Sequence, residues 1–322
     1  MMEPHGLHTL LSFLGFLALL AFFGLSIAKI WLVPAHAFGA QDLFLRWQQM
    51  LEECLGLLTI AAIMLLLVRT AEMDSGSLEE VLSDVPVVLT RTHFGSIWSV
   101  HLATLLGLWI CCSVCSSRSA SRLWSAVVVA GMLVLAFTHS ASSHASDAGD
   151  FTLSELNDWM HVVSTSVWGG AILASALLIF PMLKTQDALI SEVAIRLSSL
   201  AGVALAVVLI TGIYNALLRL PDWQALTGTN YGRVLSTKLV IVSLLILVGA
   251  FNRFAVIPRI KRHVADPTCP VQAPVRLIFR ALIVDAALVV LVVIAAAVLV
   301  QMEPDKASNA GGPSAVYGGG DQ

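Results

Sequence analysis

Charge is scarce in this chain. Asp, Glu, Lys and Arg together make up 12% of its 322 residues, against about 25% in an ordinary soluble domain. With so few charges, and a net charge of only -3, a conventional soluble enzyme, a disordered chain and a nucleic-acid binder with a basic face are all excluded. Cysteine is sparse as well. Cys54, Cys111, Cys112, Cys115 and Cys269 form an odd set, which argues against a secreted disulfide framework. The sequence carries no G-x-x-x-x-G-K-[ST] phosphate loop, so nothing in it supplies nucleotide-driven movement. Apolar residues are what it has in surplus: 57% of the chain, with a mean hydropathy of +0.86. That surplus must face lipid. At roughly 20 residues per membrane-spanning helix, the chain has room for eight spans.

Apolar runs bounded by charge, Gly or Pro give those spans directly. They run from about Leu10 to Val33, Leu51 to Val68, Phe94 to Val114, Leu123 to Phe137, Leu156 to Phe180, Leu197 to Leu220, Val234 to Ile257 and Leu277 to Met302. The expected fold is all-α: one polytopic eight-helix membrane domain over residues 1–302, with a disordered Gly-, Ser- and Pro-rich tail over 303–322. Ala35-His36-Ala37 imitates a signal-peptidase site. However, no basic residue precedes the first run, and the run exceeds a signal h-region of about 7–15 residues, so a retained helix is expected. Lys and Arg in the loops set the orientation. Five fall on one side, among them Arg69, Arg219 and Lys306, and twelve on the other, among them Lys29, Arg122, Lys184 and Arg262. The twelve-residue side is expected to be cytoplasmic. Both termini and the acidic loops 69–92 and 142–157 then lie outside, in the periplasm of a Gram-negative cell.

An ionisable side chain inside a span is costly and marks a functional site by default. The histidines therefore carry the most information. His36 and His263 fall in loops and receive no role, and His5 and His8 lie at the outer end of span one. The other five sit on spans three, four and five or at their outer ends. At 1.5 Å per residue, His101 lies ~12 Å below His93, at the mouth of span three. Thr152-Leu-Ser-Glu155 reads as a capping box opening span five, and His161 again lies ~12 Å inside. His139 lies ~7.5 Å below His144 if span four continues that far. Three consecutive helices thus bring His101, His139 and His161 to a similar depth, with His93 and His144 above them. Imidazole suits copper, zinc, iron and nickel, so the three can form a metal cage. Asp158 and Trp168 share the face of His161, and Asp158 can accept a proton from a ligating imidazole. The alternative is that each histidine simply hydrogen-bonds a neighbouring helix.

Two further groups stand out. Cys111, Cys112 and Cys115 cluster at the cytoplasmic end of span three, where thiolates suit Cu(I) or zinc. They are a possible cytoplasmic exit, or else small or acylated residues at the membrane surface. Lys238 and Asp285 are charges inside spans seven and eight, at different depths. Lys238 can snorkel outward. The two either outline a polar path with Asn252, or Asp285 bonds Asn252 or a backbone group.

The segment Leu156-Asn-Asp158-Trp-Met-His161 … Trp168-Gly169-Gly170 resembles the D-x-x-H … W-x-G-G helix of the CopD/PcoD copper-resistance membrane proteins. The resemblance continues through Arg196-Leu-Ser-Ser-Leu-Ala, Thr211-Gly-Ile-Tyr-Asn215, Tyr231-Gly-Arg233, Phe251-Asn252-Arg253 and Asp285, and is strongest over residues 143–299. That family often shows Gly-His-Ala before the fifth helix. Here Thr138-His139-Ser and Ser143-His144-Ala are the two candidates, and the final acidic residue is Asp rather than Glu. The resemblance implies a multi-pass inner-membrane protein that moves copper ions, Cu(I) or Cu(II), inward from the periplasm. It implies a small periplasmic CopC-like copper-binding partner, not fused here, and neither enzymatic nor nucleic-acid-binding activity. Two alternatives use the same residues: a membrane redox protein whose histidines ligate haem b, and a copper sensor or scaffold that binds without transport.

Overall fold

The computed structural model describes residues 4–39, 41–73, 77–114, 121–142, 152–183, 186–220, 224–266, 272–300 and 302. The expected tail over 303–322 lies outside them, as do Cys115 and His144. Among the described residues all regular structure is helical. The elements are α1 (Pro4–Ile27), α2 (Gln41–Met73), α3 (Leu78–Arg91), α4 (His93–Val114), α5 (Arg122–Ala141), α6 (Leu153–Ala174), α7 (Phe180–Leu183), α8 (Asp187–Arg219), α9 (Ala225–Gly228), α10 (Asn230–Phe251), α11 (Ile257–Ala265) and α12 (Gln272–Val300). Three π-helical turns interrupt or prolong them: Ala28–Leu32 after α1, Ser175–Ile179 between α6 and α7, and Asn252–Val256 between α10 and α11.

Among the described residues, eight stretches are long and apolar enough to cross a membrane: Gly6–Leu32, Asp42–Met73, His93–Val114, Arg122–Ala141, Leu153–Leu183, Ala188–Arg219, Asn230–His263 and Ala273–Val300. They match the eight expected spans one for one. The second begins well before Leu51, because Gln48–Glu52 and Gln49–Glu53 pairs one turn apart stabilise its polar first turns. The loop expected over 69–92 is largely helical. α3 is an amphipathic helix that buries Val81 and Val88, and a two-way capping box between Ser77 and Glu80 starts it. At α6, Thr152 accepts the backbone N–H of Glu155 at 3.3 Å, as the sequence predicts.

Alternate helices run in opposite directions, so the bundle has two ends. The first carries His93, Ala141 and Arg219 and is called the histidine end. The other carries Lys29, Val114 and Arg122 and is called the cysteine end. Between spans there is no hydrophobic gain from contact, so packing and polar clasps hold helices together. The α1–α6 pair packs most closely. Gly24 and Gly170 face each other so tightly that a Cβ on Gly170 would stand 2.0 Å from the Leu20 carbonyl oxygen. Tryptophans supply the clasps. The indole N–H of Trp47 donates to Leu25 O at 2.8 Å, Trp98 to Ala62 O at 3.1 Å and Trp159 to Leu133 O at 3.0 Å. Trp47 and Trp98 bury their apolar bodies and Trp159 is half-buried, and the one donor of each is met on a neighbouring helix.

Candidate metal site

Three consecutive residues near the histidine end of α5 reach three different helices. Thr138 meets His101 on α4, with Nδ1 and Oγ1 at 2.8 Å. His139 stacks on Phe16 of α1, with centroids 5.0 Å apart. Ser140 donates to Asp158 Oδ2 on α6 at 2.8 Å. The polar contacts then continue onto α8. Asn215 donates to Asp158 Oδ1 at 3.1 Å, and Asn157 donates to Asn215 Oδ1 at 2.8 Å and to Thr211 O at 3.1 Å. Thr211 Oγ1 lies 2.9 Å from His161 Nδ1. His101, His139 and His161 therefore share one layer, at the common depth that helix rise predicts.

The two threonines fix the chemistry of the two imidazoles they hold. Thr138 Oγ1 lies 3.1 Å from Val134 O and 3.0 Å from Leu135 O, and Thr211 Oγ1 lies 2.7 Å from Val207 O. A carbonyl oxygen can only accept, so each hydroxyl proton points to its own helix. The hydroxyl oxygen must then accept from Nδ1–H of the histidine. His101 and His161 are thereby held as Nδ1–H tautomers, with the Nε2 lone pair available to a ligand. This is how a metal-binding histidine is usually oriented from behind. Other contacts fix the rings. Trp98 stacks on His101 at 4.9 Å and 7°, and Phe94 stacks on Trp98 at 5.1 Å. At His161, a Cβ on Gly212 would come within 3.2 Å of Cε1, so glycine lets that ring lie against α8.

The structure also corrects the expected arrangement. Among the described residues, no three His, Cys, Asp or Glu side chains are grouped tightly enough to hold one metal ion. The single cage of three imidazoles is therefore not assembled. His101 and His139 are electrostatic neighbours at α4–α5, His161 stands at α6–α8, and Asp158 is an electrostatic neighbour of both His139 and His161. Asp158 does not orient His161 directly, because Thr211 takes that position. Its carboxylate clasps α5 and α8 instead. Trp168 is buried in the apolar core, two turns further along α6. His93 is exposed at the first residue of α4.

Lys238 joins this layer as an electrostatic neighbour of His161 and Asp158, far from Asp285 along the bundle. Cys111 is half-buried and Cys112 buried at the cysteine end of α4. The sequence reading missed what lies beside them. Lys29, counted there as a loop charge, is only 5% exposed. Its Nζ lies 3.9 Å from the Trp47 ring centroid, 4.6 Å from Trp124 and 5.4 Å from Phe44, and Cys112 is its electrostatic neighbour. The available signal was Phe44 and Trp47 at the cysteine end of α2 and Trp124 at that of α5. A groove of about 310 Å³ between α5, α6 and α8 is lined by Trp159, Met160, Val163 and other largely apolar side chains and by no histidine. It offers haem no axial ligand.

Comparison with known families bears on this geometry. The family model of copper resistance protein D matches residues 191–299, and that of the copper resistance protein D-like N-terminal domain matches residues 1–151. The chain belongs to the copper resistance protein D family. Residues 152–190, with Asp158, His161 and Trp168, lie between the two matched stretches. Among curated relatives of this family member, the copper transport protein CutJ of Bacillus subtilis is 29% identical over 51% of the chain, which spans only 31% of that relative. The inner membrane protein YebZ of Escherichia coli is 23% identical over 78% of the chain and 85% of its own length. Copper resistance protein D of Pseudomonas syringae is 25% identical over 65% of the chain and 68% of its own length. No solved structure matches the chain. Family and helices together make this a multi-pass membrane protein of the copper-resistance class.

Proposed function

We propose that this protein carries copper ions across the inner membrane, from the periplasm to the cytoplasm, and that the histidine layer receives the ion. The observation that carries the reading is the paired Thr–His arrangement. His101 and His161 are each locked from behind by a hydroxyl, so each presents Nε2 as a ready ligand. His139 lies between them, and His93 and His144 belong to the approach from the periplasm. The two stations are joined through Asp158, so an ion passes between them without leaving the polar layer. Copper is the cargo here, bound transiently, and transport of this kind needs no preformed three-ligand cage. The excess of Lys and Arg puts the histidine end outside and the cysteine end in the cytoplasm. Cys111, Cys112 and Cys115 then offer soft ligands at the exit. The acidic outer loops suit a cation donor such as a periplasmic CopC-like protein.

The test is copper entry into liposomes that carry the purified protein and a trapped copper indicator. Wild-type protein is expected to load them, and His101→Ala and His161→Ala to fail. Copper binding without entry would replace transport by the sensor or scaffold reading.

A further inference from the structure

Several buried hydroxyls in the spans of this protein bond a carbonyl of their own helix or a side chain across from them. Thr59, Thr70 and Ser164 bond the carbonyl four residues back, the usual outcome for Ser and Thr in helices. A second layer behaves differently. Among the described residues, Ser26 Oγ, Ser175 Oγ, Asn252 Oδ1 and Asp285 Oδ1 are buried with no hydrogen-bond partner, as are Thr165 Oγ1 and Ser166 Oγ between His161 and Gly169 on α6. Ser26, Ser175, Asn252 and Asp285 are 0%, 0%, 8% and 4% exposed.

These four oxygens come from α12 and from three elements that each pack on it. α12 contacts α1, α6, α10 and the π turns that begin at Ser175 and Asn252. Their levels follow from nearby contacts. Gly24 faces Gly170, Gly169 faces Val289, and Phe180 stacks on Phe279 at 6.3 Å. Counting 1.5 Å per residue from those contacts puts Ser26, Ser175 and Asp285 within roughly one helical turn of one level. From the Leu235–Leu299 cluster, Asn252 falls about one turn closer to the cysteine end. All three π turns of the described chain lie near this level. Such turns frequently sit at functional sites, because they spoil the regular carbonyl ladder and free polar groups.

Among the described residues, Asp285 has no cationic partner to compensate its burial. Lys29 turns into its aromatic cage. Arg253 donates to Ser198 O on α8 at 2.7 Å. Arg196 is committed to Trp31 O and Glu192. Arg276 and Arg280 lie at the cysteine end of α12, while Lys238, Asp158 and His161 belong to the histidine layer. An unpaired carboxylate inside a membrane bundle is strongly disfavoured, so its charge must be met by something it binds.

We infer that Ser26, Ser175, Asn252 and Asp285 form a site for a small hard cation, a proton or a sodium ion, distinct from the histidine layer. The donors are carboxylate, hydroxyl and amide oxygens, which suit hard ions and not Cu(I). The site's existence is independent of copper. Its role as the ion that couples copper movement rests on the transport reading above, in a chain without a nucleotide-binding loop.

The test is infrared spectroscopy of copper-free purified protein in the carboxyl region. Wild type and Asp285→Asn are compared in sodium chloride and in N-methylglucamine chloride across a pH series. A neutral-carboxyl band in wild type, missing from Asp285→Asn and indifferent to sodium, identifies a proton site. A band that appears only when sodium is withdrawn identifies a sodium site. Ser175→Ala and Ser26→Ala, which keep the carboxyl, are expected to shift its titration or its sodium requirement several-fold. Superposable wild-type and Asp285→Asn spectra in both salts, or serine variants that titrate like wild type, would overturn the site. Neither result would touch the copper reading, which stands or falls on the histidine variants.

Discussion

The two polar layers of this bundle are built in opposite ways. In the histidine layer, Thr138, Ser140, Asn157, Asp158, Thr211 and Asn215 bond one another or a carbonyl across four helices. In the layer of Ser26, Ser175, Asn252 and Asp285, an oxygen on each residue is left without a partner among the described residues. A closed network fixes orientation, and here it aims two imidazoles. An open set of buried oxygens keeps its capacity for something that arrives. The contrast teaches that polar residues in a membrane bundle serve two ends, and that partner lists separate them where composition does not.

The largest effect is expected where the layers are held in register. Gly170→Leu puts a branched side chain into the Leu20–Gly24 backbone and should leave no monodisperse protein in size-exclusion chromatography. Gly170→Ala already sets a Cβ 2.0 Å from the Leu20 carbonyl oxygen and 2.7 Å from Gly24 N, so α1 and α6 must part, and the loss should exceed the about 1–3 kcal/mol usual for overpacking, seen as a lower melting temperature. Next come the ligands. His101→Ala and His161→Ala should each sharply reduce copper retained after purification, whereas Ser175→Ala should not, which separates the layers by metal. Third are the residues that act through the imidazoles. Thr138→Val and Thr211→Val should weaken copper binding about 10–100-fold, with Ser at either position restoring most of it. Equal copper affinity in wild type and the Val variants would remove the orienting role. The smallest effect is expected at the cysteine end. Lys29→Met forfeits cation–π contacts with Trp47 and Trp124 and should cost no more than about 2 kcal/mol of stability, leaving copper content unchanged.

Much of this was legible in the sequence, for identifiable reasons. Span boundaries follow from runs of apolar residues ended by Pro and charge, and the depth of His101, His139 and His161 follows from helix rise alone. Rotation about each helix axis does not follow from either. His139 therefore stacks on Phe16 rather than closing a cage, and Thr211, fifty residues away in sequence, takes the place expected for Asp158. α3 was missed because its short apolar face is interrupted by Glu79, Glu80 and Asp84, leaving no long run. Lys29 was missed because its cage is assembled from two other helices, α2 and α5. Asp285 and Asn252 were visible as buried polar residues. Ser26 and Ser175 were not, since a serine in a span ordinarily bonds its own backbone and only tertiary packing reveals the exceptions.

The central claim is that the histidine layer holds copper. The most direct measurement is the copper and iron content of protein purified from copper-fed cells, by plasma mass spectrometry, with His161→Ala prepared in parallel. Copper is expected in the wild type, little in the variant, and iron in neither. Iron without copper, or the same copper content in both proteins, would contradict it.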